Sequence, residues 1–281
     1  MDTQDSFLIG SIECTVLSDG WSDYSPEAIF PGVPEEQWRR FAGSTLTEEG
    51  MIRLAYQTLL LRSGERLALV DAGLGDFGGP DGSAGKLPGS LEGLGIGPDD
   101  IDVVLVSHAH PDHIGGLVRL GGPAPVPAFR NARVVMRRDE FGFWTSDASA
   151  SMMEVMREVT GMVLPAIDHA QLLDLVDDDR EVFPGVRFEP APGHTPGHAA
   201  VLVSDDDQGA IYLADALIHT SQFENPEWTA AFDALPEVTV ESRRRLLELA
   251  ASRDLTTMAF HVAGRGRVRL RGAVFGWDPE G

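Results

Sequence analysis

The sequence predicts an α/β protein: β-sheets stacked in layers, with helices on the outside. Three observations carry this expectation. Short apolar runs of period two, bounded by turn residues, recur in both halves of the 281-residue chain. Helical patterns are interleaved with them, which favours layered α/β packing. No low-complexity linker interrupts the series, so one domain over residues 1–281 is expected, built from two similar halves at about 1–130 and 131–281. With 43% apolar residues, a chain of this length has ample material for a core.

In chain order, residues 12–17 read as a strand that closes at Asp19-Gly20. Residues 56–61 and 67–70 flank Ser63-Gly64, a hairpin signal. A helical pattern at about 35–41 precedes this hairpin. The glycine- and proline-rich stretch 73–97 is long for a loop, and such loops are often functional. Residues 101–107 (IDVVLVS) are nearly continuously apolar, as expected of a strand covered on both faces. A helical pattern at 115–120 precedes a short strand at 132–136, and another helix is expected at 151–159. Residues 186–188, 199–203 and 210–213 read as strands, with Asp205-Asp206-Asp207-Gln208-Gly209 turning between the last two. The clearest helix is 238–252, where Leu246, Leu247, Leu249 and Ala250 form an apolar stripe. Strands at 257–260 and 268–274 close the chain.

Composition removes several function classes. Acidic residues number 44 and basic residues 22, giving a net charge of −22 that repels nucleic acid. Arg243-Arg244-Arg245 reads as a solvated or ion-paired helix face. Arg265, Arg267, Arg269 and Arg271 alternate along one face of a terminal strand. Cys14 is the one cysteine, so neither an intrachain disulfide nor a cysteine-rich zinc site is available. Lys86, the one lysine, is followed by Leu87, so there is no Walker-type phosphate loop. No run of about 18 apolar residues suggests a membrane span. Residues 1–20 hold neither a basic start nor an apolar stretch of about 7–15 residues, so a cytoplasmic location is expected.

The chemistry concentrates in histidine. Of eight histidines, three fall in His108-Ala109-His110-Pro111-Asp112-His113. This segment follows the apolar strand and opens a helical pattern, where α/β proteins place their sites. Imidazole and carboxylate together suit Zn²⁺, Mn²⁺ or Fe²⁺. Alternate residues of a tight turn point to opposite sides, so His108 and His110 can serve one ion while Asp112 and His113 serve another. Gly193-His194-Thr195-Pro196-Gly197-His198, Asp215 and His261 each follow a strand and supply further donors.

These motifs, with Val70-Asp71-Ala72-Gly73 before the first, resemble the metallo-β-lactamase superfamily of hydrolases from about residue 12 to the end. The resemblance implies an αββα sandwich of two mixed sheets flanked by helices, with two divalent ions between the sheets. Zinc is the first expectation, manganese, cobalt or iron the alternatives. Carried over by position, His108, His110 and His194 hold one ion, Asp112, His113 and His261 the other, and Asp215 bridges. Asp71 and His198 are implied as supports of the ligands. Phe141, Phe143 and Trp144, Leu217-Ile218-His219 and the 226–245 region resemble the methyl parathion hydrolase branch, which includes lactonases, arylesterases and phosphotriesterases.

The implied reaction is attack by a metal-bridging hydroxide on a neutral ester, a lactone or an aryl ester first, with phosphotriesters as a side activity. No protein nucleophile is needed, and no Gly-x-Ser-x-Gly elbow is present. Asp112 or His219 would assist the leaving group, and Phe143 and Trp144 would line the pocket. Neither nucleic acid nor a membrane is an expected partner; a homodimer is suggested by the resemblance. The competing expectations are a mononuclear-iron sulfur dioxygenase and a glyoxalase II-like thioesterase.

Overall fold

Apolar alternation becomes two sheets. The computed structural model describes residues 5–78, 82–177, 180–272 and 274–280. The first half of the strands comprises β1 (Asp5–Ile9), β2 (Ile12–Tyr24), β3 (Ile52–Ser63), β4 (Arg66–Val70) and β5 (Val103–Val106). The short pair β6 (Val118–Arg119) and β7 (Val126–Pro127) follows, then β8 (Arg133–Arg137) and β9 (Leu173–Val176). The remaining strands are β10 (Glu181–Phe183), β11 (Val186–Pro190), β12 (Ala199–Asp205) and β13 (Gln208–Tyr212). They are completed by β14 (Thr256–Ala259), β15 (Val262–Arg271) and β16 (Val274–Glu280).

One seven-stranded sheet has the order β1-β2-β3-β4-β5-β8-β9, and the other runs β10 to β16 in sequence order. Strands β1 to β4 pair antiparallel, with hairpins joining β1 to β2 and β3 to β4 and a helical excursion over 25–51 joining β2 to β3, whereas β4, β5, β8 and β9 are parallel. In the second sheet only the β13–β14 pair is parallel. The parallel strands in each sheet are joined by crossovers, so their C-terminal ends open on one edge, where ligand loops gather.

Strand β5 shows why its residues are continuously apolar. Val103 and Leu105 face the space between the sheets, packed with Leu59, Phe188, Val201 and Phe260. Val104 and Val106 face outward under Val163, Leu164 and Ile167 of helix Glu154–His169. On the far side, Leu246, Leu247 and Ala250 of helix Pro236–Ser252 cover Ala200, Leu202 and Ile211. The layers are therefore αββα. Each such buried aliphatic or aromatic side chain contributes roughly 1.5–3 kcal/mol relative to exposure.

Some local expectations change. The helix expected at 115–120 is instead a turn of helix at Pro111–Ile114, a 3-10 turn at Gly115–Leu117 and strand β6. Close packing explains the break: a Cβ on Gly116 would lie 1.9 Å from the Ala72 carbonyl oxygen. The strand expected at 268–274 is two strands, β15 and β16, joined at a hairpin; residue 273 lies outside the described residues. The alternating arginines of β15 are ion-paired, with Asp5, Asp254, Asp278 and Glu280 as partners.

The stretch 73–97 is tied down by Asp19 at the bulged centre of β2. Its carboxylate accepts from Leu74 N and Leu87 N, both at 2.8 Å. Residues 79–81 of the stretch lie outside the described residues. Among the described residues, no helix is long and apolar enough to cross a membrane.

Candidate metal centre

Strand β5 ends where the first motif begins, and Pro111 opens the helical turn that carries Asp112 and His113. Across the sandwich, His194 follows β11, Asp215 follows β13 and His261 follows β14. Two groups of donors result: His108, His110, His194 and Asp215, all buried, and Asp112, His113 and His261, of which Asp112 is half-buried. Within each group the donor atoms lie within 4.8 Å of one another.

Asp215 lies between the groups. Its Oδ2 is 3.3 Å from His194 Nε2 and 3.2 Å from His261 Nε2, and its Oδ1 is 3.2 Å from His113 Nε2. His110 Nδ1 is 3.0 Å from His108 Nε2 and 2.9 Å from His194 Nε2. His261 Nε2 is 3.5 Å from Asp112 Oδ2.

The far side of each ring sets which nitrogen faces inward. His113 Nδ1 is 2.8 Å from Asp71 Oδ2, and His194 Nδ1 is 2.9 Å from Asp233 Oδ1. His261 Nδ1 lies 3.2 Å from the Ala55 carbonyl. With Nδ1 donating outward, the Nε2 lone pairs of all three point at Asp215. Lone pairs and a carboxylate crowded together out of water repel unless a cation lies among them. Consistent with this, His113 Nε2 and Asp215 Oδ1, though 3.2 Å apart, are buried without hydrogen-bond geometry to each other or to any other group among the described residues. The donor set is the nitrogen and oxygen chemistry of zinc and its neighbours. The residues fit a pair of divalent ions.

Charge regulation follows the same geometry. Burial and the neighbouring imidazoles hold His108 and His110 well below the ordinary histidine range. Burial acts likewise on His113, but Asp215, Asp71 and Asp112 outweigh it and raise its pKa. Burial would raise Asp215, yet His261 and His113 hold it well below the ordinary carboxylate range.

The supports are a second layer of buried polar groups. Asp71 sits at φ +62°, and also accepts from the Ser107 amide and hydroxyl, both at 2.8 Å. His198 donates from Nδ1 to the Ala191 carbonyl and accepts at Nε2 from the Asp215 amide, so it supports and stands outside the donor groups. Its pKa is lowered to about 3 by burial and by His194, leaving a neutral ring.

Glu140 was not anticipated. One carboxylate oxygen accepts from Ala109 N and Trp144 Nε1, the other from Thr195 Oγ1 and Gly197 N, fastening both histidine loops together. Asp233 was also missed, because its sequence neighbourhood gives no cue to the His194 contact. Arg243 departs from the expected solvated face. It is buried and donates to the carbonyls of Ala216, Pro226 and Trp228, whereas Arg244 and Arg245 are half-exposed. Helical spacing held the signal: Arg243 lies three and four residues before Leu246 and Leu247 on the apolar stripe.

A cleft of about 70 Å³ reaches the donors His110, Asp112, His194, Asp215 and His261. Leu54, Met156, Ile218 and Phe232 form its apolar walls, with Tyr24 at the side. Trp144 does not line it; its ring stands behind His110, 5.6 Å away edge-on, and Phe143 packs against Trp144. His219 does not line it either. Its Nδ1 accepts from Ser221 N, its Nε2 lies 3.0 Å from Thr45 Oγ1, and burial lowers its pKa to about 4. It borders a wider cavity of about 450 Å³ that shares His261 with the cleft and includes Trp21, Phe41 and Arg53.

Comparison with known proteins agrees with this geometry. The family model for the metallo-beta-lactamase superfamily matches residues 53–260, and the chain belongs to that superfamily. It is 30% identical over 224 residues to the N-acyl homoserine lactonase AiiA of Bacillus thuringiensis subsp. kurstaki, covering 73% of this chain and 80% of that one. Among solved structures, it superposes on AidC, a dizinc quorum-quenching lactonase in complex with a product, N-hexanoyl-L-homoserine. The TM-score is 0.86 at 25% identity, over 99% of this chain and 97% of that one. The hydrolase AbOPH gives a TM-score of 0.87, also at 25% identity and with the same coverage.

Proposed function

We propose that the chain is a two-metal hydrolase of lactones, with N-acyl homoserine lactones as the substrate class to test first. Aryl esters and phosphotriesters are the expected side substrates. The observation that carries this reading is Asp215, set between two complete donor groups at the foot of an apolar cleft. The named relatives, lactonases in sequence and in structure, support the choice of substrate.

In this reading His108, His110 and His194 hold one ion and Asp112, His113 and His261 the other, zinc in each case, with Asp215 shared. Two divalent ions bound there supply a water nucleophile at neutral pH and polarise the carbonyl. Everything else falls to the chain. Asp71 and Asp233 fix the tautomers of His113 and His194, so that their Nε2 lone pairs face inward. Glu140 keeps the two histidine loops at one spacing. Leu54, Met156, Ile218 and Phe232 exclude water and accept the apolar part of a neutral substrate. The cavity beyond His261 gives room for the remainder.

The whole chain works as one domain in this reading, and a second copy pairs with it as a homodimer. Exposed Met153, Val155 and Met162 on or beside helix Glu154–His169 offer an apolar face for that contact. Sedimentation at several protein concentrations tests it; a monomer throughout removes it.

The deciding experiment compares initial rates of the zinc-loaded protein on an N-acyl homoserine lactone, an aryl ester and a neutral phosphotriester, with a chelator control. Chelator-sensitive turnover highest on the lactone supports the reading. Absence of turnover on all three overturns it and directs attention to thioesters and to oxygen uptake with a persulfide.

A further inference from the structure

The cleft's own inventory isolates one residue. Five of its lining side chains belong to the donor groups, and four more, Leu54, Met156, Ile218 and Phe232, are apolar. Tyr24 remains, the single lining residue with a protic group not committed to a donor set. Asp112, expected to protonate the leaving group, is a member of the second donor group. His219, the alternative, faces the neighbouring cavity, with both ring nitrogens engaged by Ser221 and Thr45.

Strand pairing explains how Tyr24 gets there. In the antiparallel β2–β3 pair, Ser22 is opposite Leu54, Tyr24 opposite Ile52 and Gly20 opposite Tyr56. Paired residues share a face and alternate along the strand, so Ser22, Tyr24, Leu54 and Tyr56 all present to the cleft side. The Tyr24 ring is held edge-on against Phe232 at 5.6 Å. The Tyr56 ring packs on Phe260 at 5.2 Å and His261 at 5.3 Å.

The two tyrosine hydroxyls are hydrogen-bonded to each other, and the Ser22 side chain also bonds Tyr56. Either hydroxyl of the tyrosine pair can be the donor, and one of the two orders leaves a proton for the cleft. In that order Ser22 donates to Tyr56, Tyr56 donates to Tyr24, and the Tyr24 proton points into the cleft. Chains of this kind strengthen the last donor.

We propose that Tyr24 is a catalytic hydrogen-bond donor of the hydrolysis reaction, contacting the ester oxygens of the bound substrate, with Tyr56 and Ser22 orienting its hydroxyl. Burial first, and then the contact with Tyr56, push the Tyr24 hydroxyl's pKa up, in keeping with a donor. The proton is shared and not transferred, so no other acid is consumed. The assignment rests on the hydrolase reading and names a residue for it.

The test uses the zinc-loaded full chain and the Y24F, Y56F and L54A variants. In Y24F, kcat on the lactone falls on the order of 10²-fold, as for loss of one oxyanion donor, while two zinc ions per chain are retained. Calorimetric affinity for a phosphonate mimic of the tetrahedral state falls by a similar factor, whereas affinity for the apolar acyl chain alone is unchanged. Y56F loses roughly fivefold, the worth of one hydrogen bond. L54A raises KM and spares kcat, which separates the donor from the apolar wall. If wild type turns over the lactone and Y24F matches it in both kcat and phosphonate affinity, the Tyr24 assignment alone is overturned. If wild type turns over none of the three substrates, the hydrolase reading is overturned and the assignment with it.

Discussion

The two sheets supply the metal centre in opposite ways. The first delivers His108, His110, Asp112 and His113 from one loop after β5. The second delivers His194, Asp215 and His261 singly, from three separate connections. A loop with four donors is set first by local geometry, through Pro111 and the helical turn it opens, and is then fastened by two longer-range anchors, Asp71 to Ser107 and Glu140 to Ala109. Donors on three connections must be positioned by tertiary contacts, and here those are Asp233 behind His194, His198 behind Asp215 and Arg243 across the segment after Asp215. The compact motif fixes the spacing of its four donors within one loop and borrows anchors for the loop as a whole, whereas each dispersed donor must be placed by contacts of its own.

The difference can be broken at its shared point first. Asp215→Ala removes the carboxylate that lies within 3.3 Å of ring nitrogens from both groups. Activity falls by at least about 10³-fold and zinc content drops below two per chain, with the fold retained by circular dichroism. Full activity in this variant sinks the shared-carboxylate arrangement.

The next largest effect falls on borrowed scaffolding. Arg243→Leu leaves the carbonyls of Ala216, Pro226 and Trp228 without their donor in a buried site. Stability falls by about 3 kcal/mol, lowering Tm on the order of 5–10 °C in a thermal melt. An unchanged melt indicates that water reaches those carbonyls.

The comparison sharpens with the two backing carboxylates. Asp71→Asn and Asp233→Asn each weaken zinc affinity by about 10–100-fold, measured by competition with a chromogenic chelator. Asp71 also holds Ser107 and neighbours Tyr212, while Asp233 also caps Ala230. The Asp71 variant therefore loses more thermal stability beside its affinity loss. Equal zinc affinity in both variants and wild type removes the backing role.

The smallest effect concerns His219. Its folded pKa of about 4 lies below the unfolded value of 6.5. Between these values the unfolded chain binds a proton that the folded chain refuses, so stability drops as pH falls through this window. At pH 5 the difference is about 2 kcal/mol. Urea midpoints of wild type and His219→Gln at pH 7 and pH 5 check it: the wild type loses more on acidification, and parallel losses contradict the assignment.

The same contrast governs how much the sequence discloses. Four donors in six residues after an apolar strand stand out without any relative to compare. His194, Asp215 and His261 stand out only as polar residues at strand ends, and it is the resemblance that gathers them. The strand series is readable because alternation and hairpin signals are local, while β1 and β16 are missed because their edge positions dilute the apolar pattern. Glu140, Asp233 and Tyr24 act across 30 or more residues of chain, through contacts that no local period encodes. Arg243 is the exception: its register on an apolar stripe marks it as buried, against the pull of its two charged neighbours.

In the proposed mechanism two ions share Asp215 and both are needed. Zinc titration of the metal-free chain, with bound zinc and initial rate on an N-acyl homoserine lactone read on the same samples, tests it most directly. Two zinc ions per chain are expected at saturation, with most of the activity appearing as the second binds. Full activity at one ion per chain, or two bound ions with no hydrolysis, contradicts it.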